Sequence, residues 1–198
     1  MKILIRKTDG VVIYAQDDLQ LDTEAHGNGW RDPNFSTDNA TLDDSPLPGL
    51  WAGAVWSYIG GVWAVVDTAR HADIKAIAAL SAWERIKAKR DKLSESGGYV
   101  VTVAGTPRWF HSDAKSKTQQ LSLVMMGAAV PPVGWKTMNG VKVTMTQALA
   151  GQIFQAAAAQ DMALFAAADT HRTAMEASAD PSAYNFSSGW PATYTVEA

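Results

Sequence analysis

Several short stretches of this chain alternate apolar and polar residues one for one, each stopping at a turn signal before a second such run begins. Met1–Ile5 and Val11–Ala15 flank Thr8-Asp9-Gly10, and Trp51–Ile59 and Val62–Val66 flank Gly60-Gly61. Tyr99–Ala104 and Arg108–His111 flank Gly105-Thr106, and Trp135–Met138 and Val141–Met145 flank Asn139-Gly140. This period-2 pattern predicts β-hairpins, because tight two-residue turns hold both central residues at φ > 0, which Gly and Asn tolerate. After the later hairpins the period changes to that of a helix. Asp67 or Thr68, Ser112-Asp113, and Thr144 or Thr146 stand at those junctions as N-cap candidates, with side-chain oxygens that accept from the first free N–H groups. A hairpin followed by a helix thus recurs over 55–95, 99–130 and 135–178, a structural recurrence without a repeated sequence.

The first helix is predicted from near Ala69 to about Ser94, where Ser96-Gly97-Gly98 stops it. Ala72, Ala76, Ala79, Trp83, Ile86, Arg90 and Leu93 follow one another at alternating steps of four and three, a seven-residue repeat. Lys75, Glu84, Lys87, Lys89 and Asp91 lie outside that stripe. Two uses of the stripe stay open: packing on the chain's own sheet, or self-association as a coiled coil, for which a trimer is favoured. Residues 16–49, rich in Asp, Asn, Thr, Pro and Gly, lack periodicity and read as a long irregular arm. The expected class is α+β. It comprises a β-rich attachment region over 1–67 carrying the arm, an amphipathic helical connector over 68–96, and a C-terminal module of two hairpin-then-helix units over 97–198.

Composition narrows the function classes. At 198 residues the chain has room for one domain or two small ones, and with no Cys it holds no disulfide, thiolate metal site or cysteine nucleophile. A net charge of −3, with basic residues scattered outside Lys87–Lys92, lacks the concentrated face that nucleic-acid binding requires. Gln152, Gln155, Gln160, Asp161 and Asp169 interrupt the Ala-rich 146–178 segment, so no membrane insertion is expected. The apolar part of Met1–Arg6 is too short for a signal peptide.

Candidate chemistry is sparse. His26, His71, His111 and His171 show no metal-binding spacing, and there is no Gly-rich phosphate cradle. His111-Ser112-Asp113 has acid–base residue types, but neighbours on a strand point to opposite faces, and Ser112 and Asp113 fit better as caps. Asp17, Asp18, Asp22, Glu24, Asp43 and Asp44 gather in the arm, either as a solvated loop or as the acid and base of a glycosidase. No catalytic, cofactor-binding or metal residue is assigned. Eight Trp is a high count, and Trp30, Trp51, Trp56 and Trp63 fall close together. They suit core packing, a protein interface or sugar stacking, since rings bury much area at little rotamer cost. The interface candidates are Trp51, Trp56, Trp63, Ala72, Ala79, Trp83, Ile86 and Leu93.

The C-terminal half resembles a domain of unknown function that recurs in tailed-bacteriophage tail proteins. The likeness rests on Gly97-Gly98-Tyr99-Val100-Val101-Thr102-Val103 with Gly105, and on Trp109-Phe110-His111-Ser112-Asp113 with Ser116. It continues through Trp135-Lys136-Thr137-Met138-Asn139-Gly140, where the family more often has Asp at the position of Asn139, to Gly189-Trp190-Pro191. The first 67 residues are similar in style to the leading portions of tail-fibre and tail-fibre-assembly proteins. The resemblance implies a non-enzymatic structural component of the virion tail, in baseplate or fibre, made in the host cytoplasm and joined to other tail proteins, with a possible part in host attachment. The alternatives are a tail-fibre assembly chaperone and, more remotely, an envelope-polysaccharide hydrolase. No cofactor is implied.

Overall fold

The computed structural model describes residues 1–22 and 29–195. Its architecture is α+β, with small antiparallel sheets and three α-helices among the described residues, divided into two compact units. The first unit comprises Met1–Ser81 with Ser178–Tyr184, and the second Ala82–Ala177 with Asn185–Ala198.

In the first unit β1 (Lys2–Arg6) lies between β2 (Val12–Gln16) and β3 (Ala40–Asp44), both antiparallel to it. Alternation along β1 sends its side chains to two different cores. Ile3 and Ile5, with Val12, pack against Leu47, Trp51, Tyr58 and Trp63, whereas Leu4 packs with Leu19, Leu21, Ala40 and Phe35. The 16–49 arm is therefore not irregular throughout, since it supplies β3 and several apolar anchors. Tyr14 fastens it further by donating its hydroxyl to Asp32 at 2.7 Å and standing edge-on to Trp30. Of the arm's residues singled out from the sequence, Glu24 and His26 lie outside the described residues. β4 (Trp56–Ile59) and β5 (Val62–Val65) form a hairpin through Gly60-Gly61, both at positive φ as expected. The strand does not extend back to Trp51. Leu50 and Ala54 take positive φ, and the Cβ that Gly53 lacks would fall 2.5 Å from the Ile13 carbonyl, so the chain turns there against β2.

α1 (Thr68–Ser96) opens on Asp67, whose carboxylate accepts from the Arg70 N–H at 2.9 Å. Its first part belongs to the first unit and the remainder, from Ala82, to the second. β6 (Tyr99–Val103) and β7 (Thr106–Phe110) pair through Ala104-Gly105, one residue earlier than predicted, with Ala104 itself at φ 48°. α2 (Ala114–Met126) is capped by Asp113, which accepts from the Ser116 N–H at 2.9 Å and its hydroxyl at 2.6 Å. β8 (Gly134–Lys136) and β9 (Lys142–Thr144) follow. Their connection is not the predicted two-residue turn. The Thr137 N–H still bonds to the Val141 carbonyl, which leaves a three-residue loop, and of its residues only Gly140 has positive φ. α3 (Gln147–Ala177) starts at Thr146, which accepts from the Leu149 N–H. Besides Leu149, its buried residues, Ala150, Ile153, Ala157, Leu164, Ala168, His171 and Met175, recur at steps of three, four or seven, which makes one largely apolar stripe. Among the described residues no helix is long and apolar enough to cross a membrane.

Candidate functional site

The residues proposed as an interface divide between the two units. In the first, Trp56 and Trp63 meet diagonally across the hairpin, ring centroids 6.4 Å apart and nearly perpendicular, while their direct partners are Val65 and Tyr58. His71 on α1 closes on the other edge of Trp56 at 5.2 Å. Trp51 and Trp63 pack on the sheet beneath, so these three half-buried rings serve first as a core. Solvent instead meets the hairpin tip, where Ile59 and Val62 are 62% and 66% exposed. On α1, Ala72 is exposed and Ala79 half-buried. Ile77 and Leu80, which the seven-residue spacing left out, are each 68% exposed.

In the second unit the stripe is spent on the protein itself. Ile86 is fully buried and Leu93 half-buried, and Trp83 is flanked by the guanidinium of Arg172 and the ammonium of Lys87. A coiled-coil seam through all seven stripe positions would require Ile86 to leave its own core. The same stretch of α1 holds the segment 186–194. Lys89 donates to the carbonyls of Phe186 and Ser187 at 3.1 and 2.8 Å, with its ammonium near the Phe186 and Trp190 rings. Further along, Gln160 donates to the Ala192 carbonyl and the Tyr194 N–H bonds to the Gly97 carbonyl. Phe186, Trp190 and Tyr194, spaced four apart, are a sequence signal for this strap that the sequence reading did not use.

The carboxylates weighed as an acid–base pair lie on, or directly follow, the two outer strands of the first sheet. Asp43 and Asp44 sit on β3 and Asp17 and Asp18 follow β2, all exposed, with β1 between them, about 10 Å across two strand spacings. His111, Ser112 and Asp113 have separate structural tasks. The His111 carbonyl accepts from Gln120, the Ser112 hydroxyl oxygen accepts from the Gly98 N–H, and Asp113 caps α2. The bonds from Ser116 hold the Asp113 carboxyl below its ordinary pKa. Among the described residues, no three His, Cys, Asp or Glu come together as metal ligands would.

What the sequence did not point to is a groove of about 310 Å³ between α2 and α3. Leu121, Phe154, Ala157 and Ala158 give it apolar lining, and Lys117 and Asp161 line it as well. Lys117 Nζ lies 3.0 and 3.1 Å from the two Asp161 oxygens and 3.1 Å from Ser94 Oγ. Ser94 donates its own hydroxyl to Asp161 at 2.8 Å. This trio ties α1, α2 and α3 together. Beneath the groove, Gln120 is buried and accepts a bond from the Tyr99 hydroxyl. Burial pushes the Tyr99 pKa well above its ordinary value and keeps the phenol a neutral donor. Such a groove can receive an apolar side chain.

No curated protein and no solved structure matches this chain. A family described as a domain of unknown function (DUF4376) matches residues 75–188, more than half of the 198, and its start inside α1 takes in the buried part of that helix: the chain belongs to this family.

Proposed function

We propose that this chain is a structural component of a bacteriophage tail, in the baseplate or tail fibre, working through protein–protein contacts in the virion. The observation that carries this reading is the large apolar side chains left in solvent in both units. Ile77 and Leu80 are 68% exposed in the first, and Met125 and Met162 are 80% and 68% exposed in the second. Ile77 and Leu80 stand one turn apart on α1, and exposed apolar side chains grouped in this way mark surfaces that other molecules cover.

The residues behind the resemblance to tail proteins support the same view, because they hold the module together. At Gly98, with φ 68°, a Cβ would fall 2.4 Å from Met138 Sδ and 3.0 Å from the Phe110 carbonyl. Asp113 and Ser116 make the α2 cap, and the Trp190 indole donates to the Phe186 carbonyl. A sequence signature built from packing and capping residues describes a shape to be docked. Its partners are then other tail proteins, and its place is the mature particle after synthesis in the host cytoplasm.

Mass spectrometry of purified particles tests this. A subunit is present in fixed ratio to the other tail proteins. Absence from particles, with capture of fibre protein in infected-cell lysate, would give the assembly-chaperone role instead.

A further inference from the structure

The α2–α3 face carries a hole and a knob side by side. The hole is the groove walled by Leu121, Phe154 and Ala158, with Leu121 and Phe154 still 42% and 44% exposed. One turn beyond Leu121 on the same stripe of α2 stands Met125, 80% exposed, and one turn beyond Ala158 on α3 stands Met162, 68% exposed. Two-fold self-association requires one surface to present both complementary parts, since each residue contacts its counterpart's partner and the reverse. A knob next to a hole satisfies that requirement.

We propose that a second copy of this chain covers this face, with Met125 of each copy seated in the groove of the other. The sizes agree. Methionine is unbranched and fills irregular gaps, and a groove of about 310 Å³ admits its side chain. Leu121, Met125, Phe154 and Met162 together present on the order of 400 Å² of apolar surface, a fit centre for a dimer burying ~800 Å² per copy. Thr118 and Leu121 on α2 and Phe154 and Ala158 on α3 line the groove, and Lys117 and Asp161, which also line it, are the charged residues there. The Lys117–Asp161 pair in the lining is already neutralised within one copy, so it does not repel a copy of itself. The inference does not need the tail assignment; it gives the Met125 and Met162 surface to a second copy and leaves Ile77 and Leu80 in the first unit for other tail proteins.

Sedimentation equilibrium of the full chain tests it together with the M125E/M162E double variant. Both side chains are mostly in solvent, so the variant folds, and circular dichroism checks this. The expected result is a concentration-dependent dimer whose affinity falls more than about tenfold in the variant. Because the chain has no Cys, M125C and A158C chains give a second readout. Mixed and oxidised, they cross-link as a heterodimer in greater yield than either forms alone. A monomer at every concentration, an oligomer unmoved by M125E/M162E, or no excess of the mixed cross-link would each overturn the proposal.

Discussion

Replacing Tyr99 by Phe removes one hydroxyl group from the interior of the second unit. Tyr99 and Gln120 are each 2% exposed, and the hydroxyl donates to the Gln120 carbonyl oxygen while the Gln120 amide donates to the His111 carbonyl at 3.1 Å. Without the hydroxyl, that oxygen stays buried and loses its donor, which costs about 1–3 kcal/mol. At roughly 5 °C per kcal/mol for a unit of this size, the melting temperature falls by roughly 5–15 °C. Urea titration followed by circular dichroism should show a lower midpoint at unchanged slope, the mark of lost stability without altered compactness. Alkaline pH adds a second arm. Burial raises the Tyr99 pKa above its ordinary value of about 10. The folded protein therefore keeps a proton that the unfolded chain releases. Stability is complete below about pH 10 and declines above it, by up to about 1.4 kcal/mol per pH unit for this group. The Phe variant lacks this component, and the smaller upward shift at Tyr14, caused by Asp32, is common to both proteins and cancels. An unchanged urea midpoint, or an equal alkaline loss in both proteins, would refute the reasoning.

Three further outcomes are expected. Ile86→Ala opens a cavity at a fully buried position and costs about 2–4 kcal/mol in thermal denaturation, whereas Leu80→Ala, at a mostly exposed one, stays within about 0.5 kcal/mol. Ala104→Gly relieves an L-residue held at φ 48° and stabilises the β6–β7 hairpin by roughly 1 kcal/mol, read as a higher melting temperature. Asp113→Ala removes the α2 cap at a cost of about 1 kcal/mol near neutral pH. Because the folded Asp113 pKa is lowered, that contribution is present above about pH 4 and lost as pH falls below, so wild type and variant converge in acid.

The hairpins were legible because Gly marks positions where only positive φ closes the turn, as Gly60-Gly61 and Ala104-Gly105 do. Registers were less so: the alternation across 99–111 allows a turn one residue later, and pairing of Val103 with Thr106 decides it. β3 escaped notice because Ala40–Asp44 has only two apolar residues and ends in two acids, and it is its pairing with Lys2–Arg6 across the ladder that makes it a strand. The heptad spacing located α1 but not the use of its face, since Ile86 is buried by tertiary packing that no single helix encodes. The groove was illegible for a related reason. Leu121 and Phe154 are far apart in sequence, and only the packing of α2 on α3 brings them into one wall.

Cross-linking mass spectrometry on intact purified particles bears most directly on the claim that this chain acts by docking within a tail. The account predicts that the chain is recovered from the particles with its lysines linked to neighbouring tail proteins. Particles that lack the chain, or that carry it without a single link to another tail protein, would contradict it.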